Sequence, residues 1–136
     1  MAGTAAEPLP VLSAEMIRFA AEHRATVIIG YPFWLRVFLL SGVVAITLGR
    51  RIYVSPRVAA RSADAVERLI RHELAHVRQW SRLGLFRFAI RYLGDYLRLR
   101  RSGLAAQAAY RAIPFEVEAR EAEVAPLLSF KTGNPD

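Results

Sequence analysis

The chain has 136 residues, 54% of them hydrophobic and 23% charged, which suits one globular domain with a real core and leaves no room for a second. It contains no cysteine, so disulfides and thiolate metal sites are excluded, and His, Asp and Glu remain as the strong metal ligands. The net charge of +7 comes almost wholly from arginine, with Lys131 the exception; there is no long basic run and no nucleic-acid-binding module, so no nucleic-acid partner is expected.

Residues 1–12 read as a flexible tail rich in Ala, Gly and Pro, without the basic segment, apolar core and cleavage site of a signal peptide. Ser13 is placed to cap a short helix over residues 14–24, with Met16, Ile17, Ala20 and Ala21 on one side. His23, at its end, reads as a surface histidine. Residues 26–29 are strand-like, Tyr31-Pro32 breaks the pattern, and residues 33–40 suit either a strand or a short buried helix. Residues 43–48 and 51–54 are β-prone runs flanking Gly49-Arg50, a hairpin signal. The stretch 27–48 has the length to span a bilayer, but Gly30, Pro32, Arg36 and Gly42 interrupt it, and buried strands explain it better. The expected location is cytoplasmic, with association to a membrane surface left open.

Asp64, with Glu67 three residues later, forms a capping box for a helix running to residue 83, where Gly84 stops it. Helical phase puts Glu67, Arg71, Arg78 and Arg82 on one side and Leu69, His72, His76 and Trp80 on the other, facing the protein body. A second long helix follows over residues 85–101. Phe86, Phe88, Ile90, Leu93 and Leu97 cover most of its circumference, beside a stripe of Arg87, Arg91, Arg98 and Arg101. This predicts a largely buried helix with one solvated edge; a helix lying on a membrane surface is the alternative. Asp95 is the natural ion-pair partner of Arg91 and Arg98. After Ser102-Gly103 comes a short Ala-rich helix over residues 104–111, and Pro114 opens a last helix to about residue 124. The domain is thus expected over residues 13–126, with a loose tail over residues 127–136.

The densest chemistry lies in His72-Glu73-Leu74-Ala75-His76, which holds two of the three histidines. On a helix the two imidazoles stand one turn apart and reach one metal ion, with Glu73 close enough to act on a water there. Two neutral nitrogens and a carboxylate base beside an open position are what zinc-assisted hydrolysis needs. A third protein ligand is required, and Glu116 and Glu118 in the last helix are the candidates.

The His-Glu-x-x-His motif followed by Glu116-Val117-Glu118-Ala119 on a downstream helix resembles the gluzincin metallopeptidases, in particular their compact minigluzincin-like members, over about residues 40–125. The resemblance implies an α+β, zincin-like fold in which a short antiparallel sheet packs on the motif helix. It also implies His72, His76 and Glu116 as Zn2+ ligands, Glu116 being preferred to Glu118 because it stands three residues before the alanine. Glu73 becomes the general base, and the strand over residues 43–48 the edge that holds an extended peptide or protein substrate. Apart from the resemblance, Tyr110 or Arg111, just before the last helix, is placed to serve as an oxyanion donor. Relatives often carry Asp directly after the alanine, as partner to a ligand histidine; here Arg120 stands there. The departure keeps a second reading open, a zinc-binding structural or interaction module without turnover.

Overall fold

The computed structural model describes residues 18, 20–36 and 44–125. The expected tails, the start of the helix placed at 14–24, and residues 37–40 lie outside them. Residues 20–22 are helical. Arg24 then takes a left-handed φ of 52° and turns the chain into β1 (Thr26–Ile29). A single helical turn, α1 (Phe33–Arg36), follows and exposes Phe33 and Trp34, so this part of the stretch is neither strand nor buried helix. Next come β2 (Ala45–Leu48), β3 (Arg51–Val54) and a 3-10 turn over Pro56–Ala60. Four helices complete the order: α2 (Ala63–Leu83), α3 (Leu85–Arg101), α4 (Ala106–Ala112) and α5 (Pro114–Ala122).

The fold is α+β, with a small sheet and several helices. The hairpin forms around Gly49-Arg50 in the register Leu48↔Arg51, with Gly49 at a φ of 63° supplying the conformation that a two-residue turn demands. The sheet is not purely antiparallel. Its order is β1-β3-β2, and β1 pairs with β3 in parallel, Thr26 opposite Arg51. The register gives the reason: β2 starts at the end of the sheet where β1 finishes, Ile29 and Ala45 both lying opposite Val54, so β2 runs back and β3, after the tight turn, runs the same way as β1. Among the described strands, β1 and β2 are the two edges.

Ser62 caps α2, its hydroxyl accepting from the Ala65 amide at 3.3 Å, two residues earlier than the expected cap at Asp64. Ser62 holds an extended ψ of 152°, as a cap must, while Asp64 falls inside the first turn, where its charge suits the helix dipole. Val66, Ile70, Leu74 and Val77 on one face of α2 are fully buried against Ile52, Val54 and Val58. Around the helix from that face, Trp80 joins Phe88, Ile113 and Phe115 in a second cluster. α2 is therefore the central element, with the sheet on one side and α3 and α5 on another.

α3 departs from expectation. Phe88 is its one buried residue, while Phe86, Ile90, Leu93 and Leu97 are exposed. The helix lies against the end of α2 and against α4, and among the described residues no further layer covers its other side. Among the described residues, no helix is long and apolar enough to cross a membrane.

Candidate metal centre

His72 and His76 project from the same side of α2, their rings edge to face with centroids 4.9 Å apart. α5 carries Glu116 across them. Its Oε2 lies 3.0 Å from His72 Nε2 and its Oε1 3.3 Å from His76 Nε2. Ligand atoms of the three residues all lie within 4.8 Å of one another, close enough to share a metal ion. The local sequence explains how Glu116 gets there. Pro114 starts α5 with Ile113 buried just before it, which puts Glu116 in the first turn. Fully buried Ala119, one turn later, lets α5 sit close to α2; a larger side chain would push the carboxylate away. Glu118 is exposed on the other side of α5 and outside the cluster.

Each histidine is also held from behind. His72 Nδ1 is 2.9 Å from Glu123 Oε1, and His76 Nδ1 is 2.8 Å from Gln79 Oε1. The Gln79 amide nitrogen donates to the Phe115 carbonyl at 3.0 Å, so its oxygen is the atom that faces His76. Both Nδ1 atoms are therefore donors and carry hydrogen. That leaves both Nε2 atoms aimed at an ionised carboxylate, an arrangement that repels unless positive charge lies between them. Protons or a metal cation can supply it. Ring nitrogens turned to a centre, with the opposite N–H groups anchored by a carboxylate and an amide, are the arrangement of metal-ligating histidines. The donor set fits a divalent ion.

The electrostatics agree. Burial alone would raise the pKa of Glu116, but the hydrogen bonds from His72 and His76 hold it well below the usual carboxylate range. Burial would likewise lower both histidines, yet the bonds to Glu116 raise them above 6.5. Without metal, protons thus occupy the place of the ion. In the metal-free protein, the stabilisation from these raised histidines is fully present below pH 6.5 and is lost as pH rises through their folded-state pKa. Metal binding must displace those protons. Apparent affinity is expected to rise from pH 6 to pH 8, by up to about 100-fold per unit where two protons leave. Competition titrations against a chelator at several pH values check this; a flat profile contradicts it.

Around this centre, Tyr92 on α3 donates to Glu116 Oε1 at 2.8 Å. Burial and the Glu116 charge raise its pKa, so it stays a protonated donor. Tyr110 is partly exposed, and burial, followed by the Glu116 charge and a hydrogen bond to it, raises its pKa too. Arg111 is exposed, and its carbonyl accepts from Arg120. Glu73 is buried, and its Oε2 accepts from the Thr47 hydroxyl of β2 at 2.5 Å. Its negative charge acts on both histidines. Tyr31, after β1, stands near enough to Glu73 that burial and that charge together raise its pKa. His23 is not part of the cluster.

The structure brings together His72, His76, Glu116 and, at their edge, Glu73 and Tyr110. Sequence reasoning missed Thr47, Gln79, Tyr92 and Glu123. Gln79 was legible in principle, three residues after His76 on the same helix. The others come from distant segments with no spacing to advertise them. Glu123 also answers the concern raised by Arg120. Two turns of α5 separate Glu116 from Glu123, so one helix grips the His72 ring at both nitrogens. Arg71 steadies the chain beyond, donating to the Ala125 carbonyl at 2.9 Å. Replacing Glu123 by alanine is expected to weaken metal affinity about 10- to 100-fold with the fold intact. An unchanged affinity in a chelator competition would remove Glu123 from the site.

A sequence profile of the family described as the eCIS core domain matches residues 40–84, about a third of the chain. That family is associated with a metallopeptidase-like zincin fold. The matched stretch spans β2, β3 and α2, including Thr47, His72, Glu73 and His76, and stops before Glu116 and Glu123. Over this stretch the chain is similar to that family, which fits a zinc-metallopeptidase-like, metal-binding domain. Neither the comparison with curated proteins nor that with solved structures returned a match.

Proposed function

We propose that this protein is a zinc-dependent metallopeptidase of the gluzincin kind, with His72, His76 and Glu116 as zinc ligands and Glu73 as general base. One observation carries the reading: two Nε2 atoms and a carboxylate converge on one point, each imidazole is anchored through its Nδ1, and a buried glutamate stands beside them. Zinc held there would supply Lewis-acid chemistry, acidifying water and polarising a carbonyl. The chain's own groups do the rest. Thr47 orients Glu73 through Oε2, and Glu73 takes a proton from the attacking water and returns it to the leaving amine. Tyr110, kept protonated, donates to the oxyanion of the carbonyl under attack. Tyr92, already bonded to Glu116, holds that ligand in place.

β2 suits the delivery of an extended peptide. It is an edge of the sheet, and its Thr47 side chain reaches Glu73, so a strand paired along its outer side would pass over the base. A shallow depression lined by Leu48, Arg50, Trp80 and Leu85 opens one helical turn beyond His76 and could take an apolar side chain. The purified full chain is expected to contain about one equivalent of zinc and to cleave unstructured protein substrates. A chelator should abolish cleavage, and added zinc should restore it. Absence of zinc and of zinc uptake would overturn the metal site. Full metal content without cleavage would leave the binding module as the function.

A further inference from the structure

α3 carries two apolar faces. Phe88, Tyr92, Tyr96 and Leu99 turn inward to the second core cluster. On the opposite side Phe86, Ile90, Leu93 and Leu97 are 78%, 72%, 57% and 45% exposed. Spacings of four, three and four align them in one stripe, about 16 Å long at the helical rise. Single exposed apolar residues are ordinary, but four large ones in register form the kind of patch that marks an interaction surface.

Charge identifies the occupant. Arg87, Arg91, Arg98 and Arg101 line one flank of the stripe, and Arg100 stands on the other. From residue 85 to residue 113 there are six arginines and a single acid, Asp95, which pairs with Arg98 at 3.2 Å. Arg91 leans over the Phe115 ring at 5.5 Å, so Arg87 and Arg101 are the flank arginines to substitute. We infer that the outer face of α3 docks on an anionic phospholipid surface, its four apolar side chains entering the acyl boundary and its arginines lying among the headgroups. A second copy of the chain is a poorer occupant. It would set arginine rows against each other, and one four-residue stripe falls well short of the roughly 800 Å² per partner of a stable interface. A nucleic acid would use the arginines and leave the apolar stripe in water. α3 is not long and apolar enough to cross a bilayer, so it lies in the plane of the interface. The inference is independent of the proposed peptidase activity, because the metal centre uses the opposite side of α3 through Tyr92.

The test is cosedimentation of the full chain with vesicles of phosphatidylcholine alone or mixed with phosphatidylserine. Binding to the anionic vesicles at low salt, loss at high salt and no binding to neutral ones is the expected result. Ile90→Gln with Leu93→Gln should lower the vesicle-bound fraction by at least about tenfold, and Arg87→Glu with Arg101→Glu by more than the about fivefold that one arginine contributes. All four positions are exposed, and unchanged metal content and circular dichroism would show that the variants fold. No binding of the wild type to anionic vesicles at low salt overturns the inference. So does binding that survives Ile90→Gln with Leu93→Gln, which would place attachment elsewhere. A dimer that those two substitutions dissociate, without vesicle binding, would assign the stripe to a second copy.

Discussion

Glu73→Gln should leave metal content unchanged while lowering peptide hydrolysis by about 10²- to 10⁴-fold, the usual contribution of a positioned general base. The amide is nearly the same size as the carboxylate, and its oxygen can still accept from the Thr47 hydroxyl, which lies 2.5 Å from Glu73 Oε2. The surrounding packing therefore has no reason to change. What is lost is the capacity to take a proton. Paired metal analysis and cleavage assays on wild type and variant separate the two properties. Equal cleavage by both proteins would exclude Glu73 as the base and require another acceptor beside the site. Loss of metal along with activity would mean that Glu73 helps to hold the ion.

Glu116→Ala is expected to lower metal affinity by more than the 10- to 100-fold typical of an outer partner, because it removes a ligand rather than a support. Glu118→Ala, two residues along but exposed and outside the cluster, should change nothing. The contrast between these neighbours is the sharpest check on which glutamate closes the site. Glu116→Ala also leaves the Tyr92 hydroxyl without its acceptor, at a cost on the order of 1–3 kcal/mol. Affinity should therefore be measured by chelator competition below the unfolding temperature of the variant. Retained affinity would exclude Glu116 as the third ligand, and a loss with Glu118→Ala would reassign the role.

The two glutamates also show where reading the sequence reaches its limit. Counting along the last helix offered both of them, and only the resemblance to a known family preferred Glu116. In three dimensions packing brings Glu116, and not Glu118, to the two histidines. Ala119 and Ala122 let α5 press against α2, and Glu116 shares that buried face while Glu118 does not. Arg120 posed a similar question. The position after the alanine lacks an acid, yet the His72 ring finds its carboxylate from Glu123 at the end of the same helix. Contacts of this kind depend on where two helices cross, and no local spacing encodes that crossing.

The sequence by itself determined the elements that obey a local rule. β-branched runs around Gly49-Arg50 specified the hairpin, and helical phase with Gly84 specified the long motif helix. The period of 3.6 put His72 and His76 on its inner side. These follow from backbone sterics and from burial of one face, which each segment carries alone. Tertiary structure decided the rest: β1 joining in parallel, α3 left uncovered on one side, and the convergence of Thr47, Gln79, Tyr92 and Glu123 on the motif. Each of these depends on segments far apart in the chain. Composition alone marked α3 as an apolar helix. Only the packing of the described elements, with α2, α4 and α5 on one side of it, shows which half of that apolar surface turns inward.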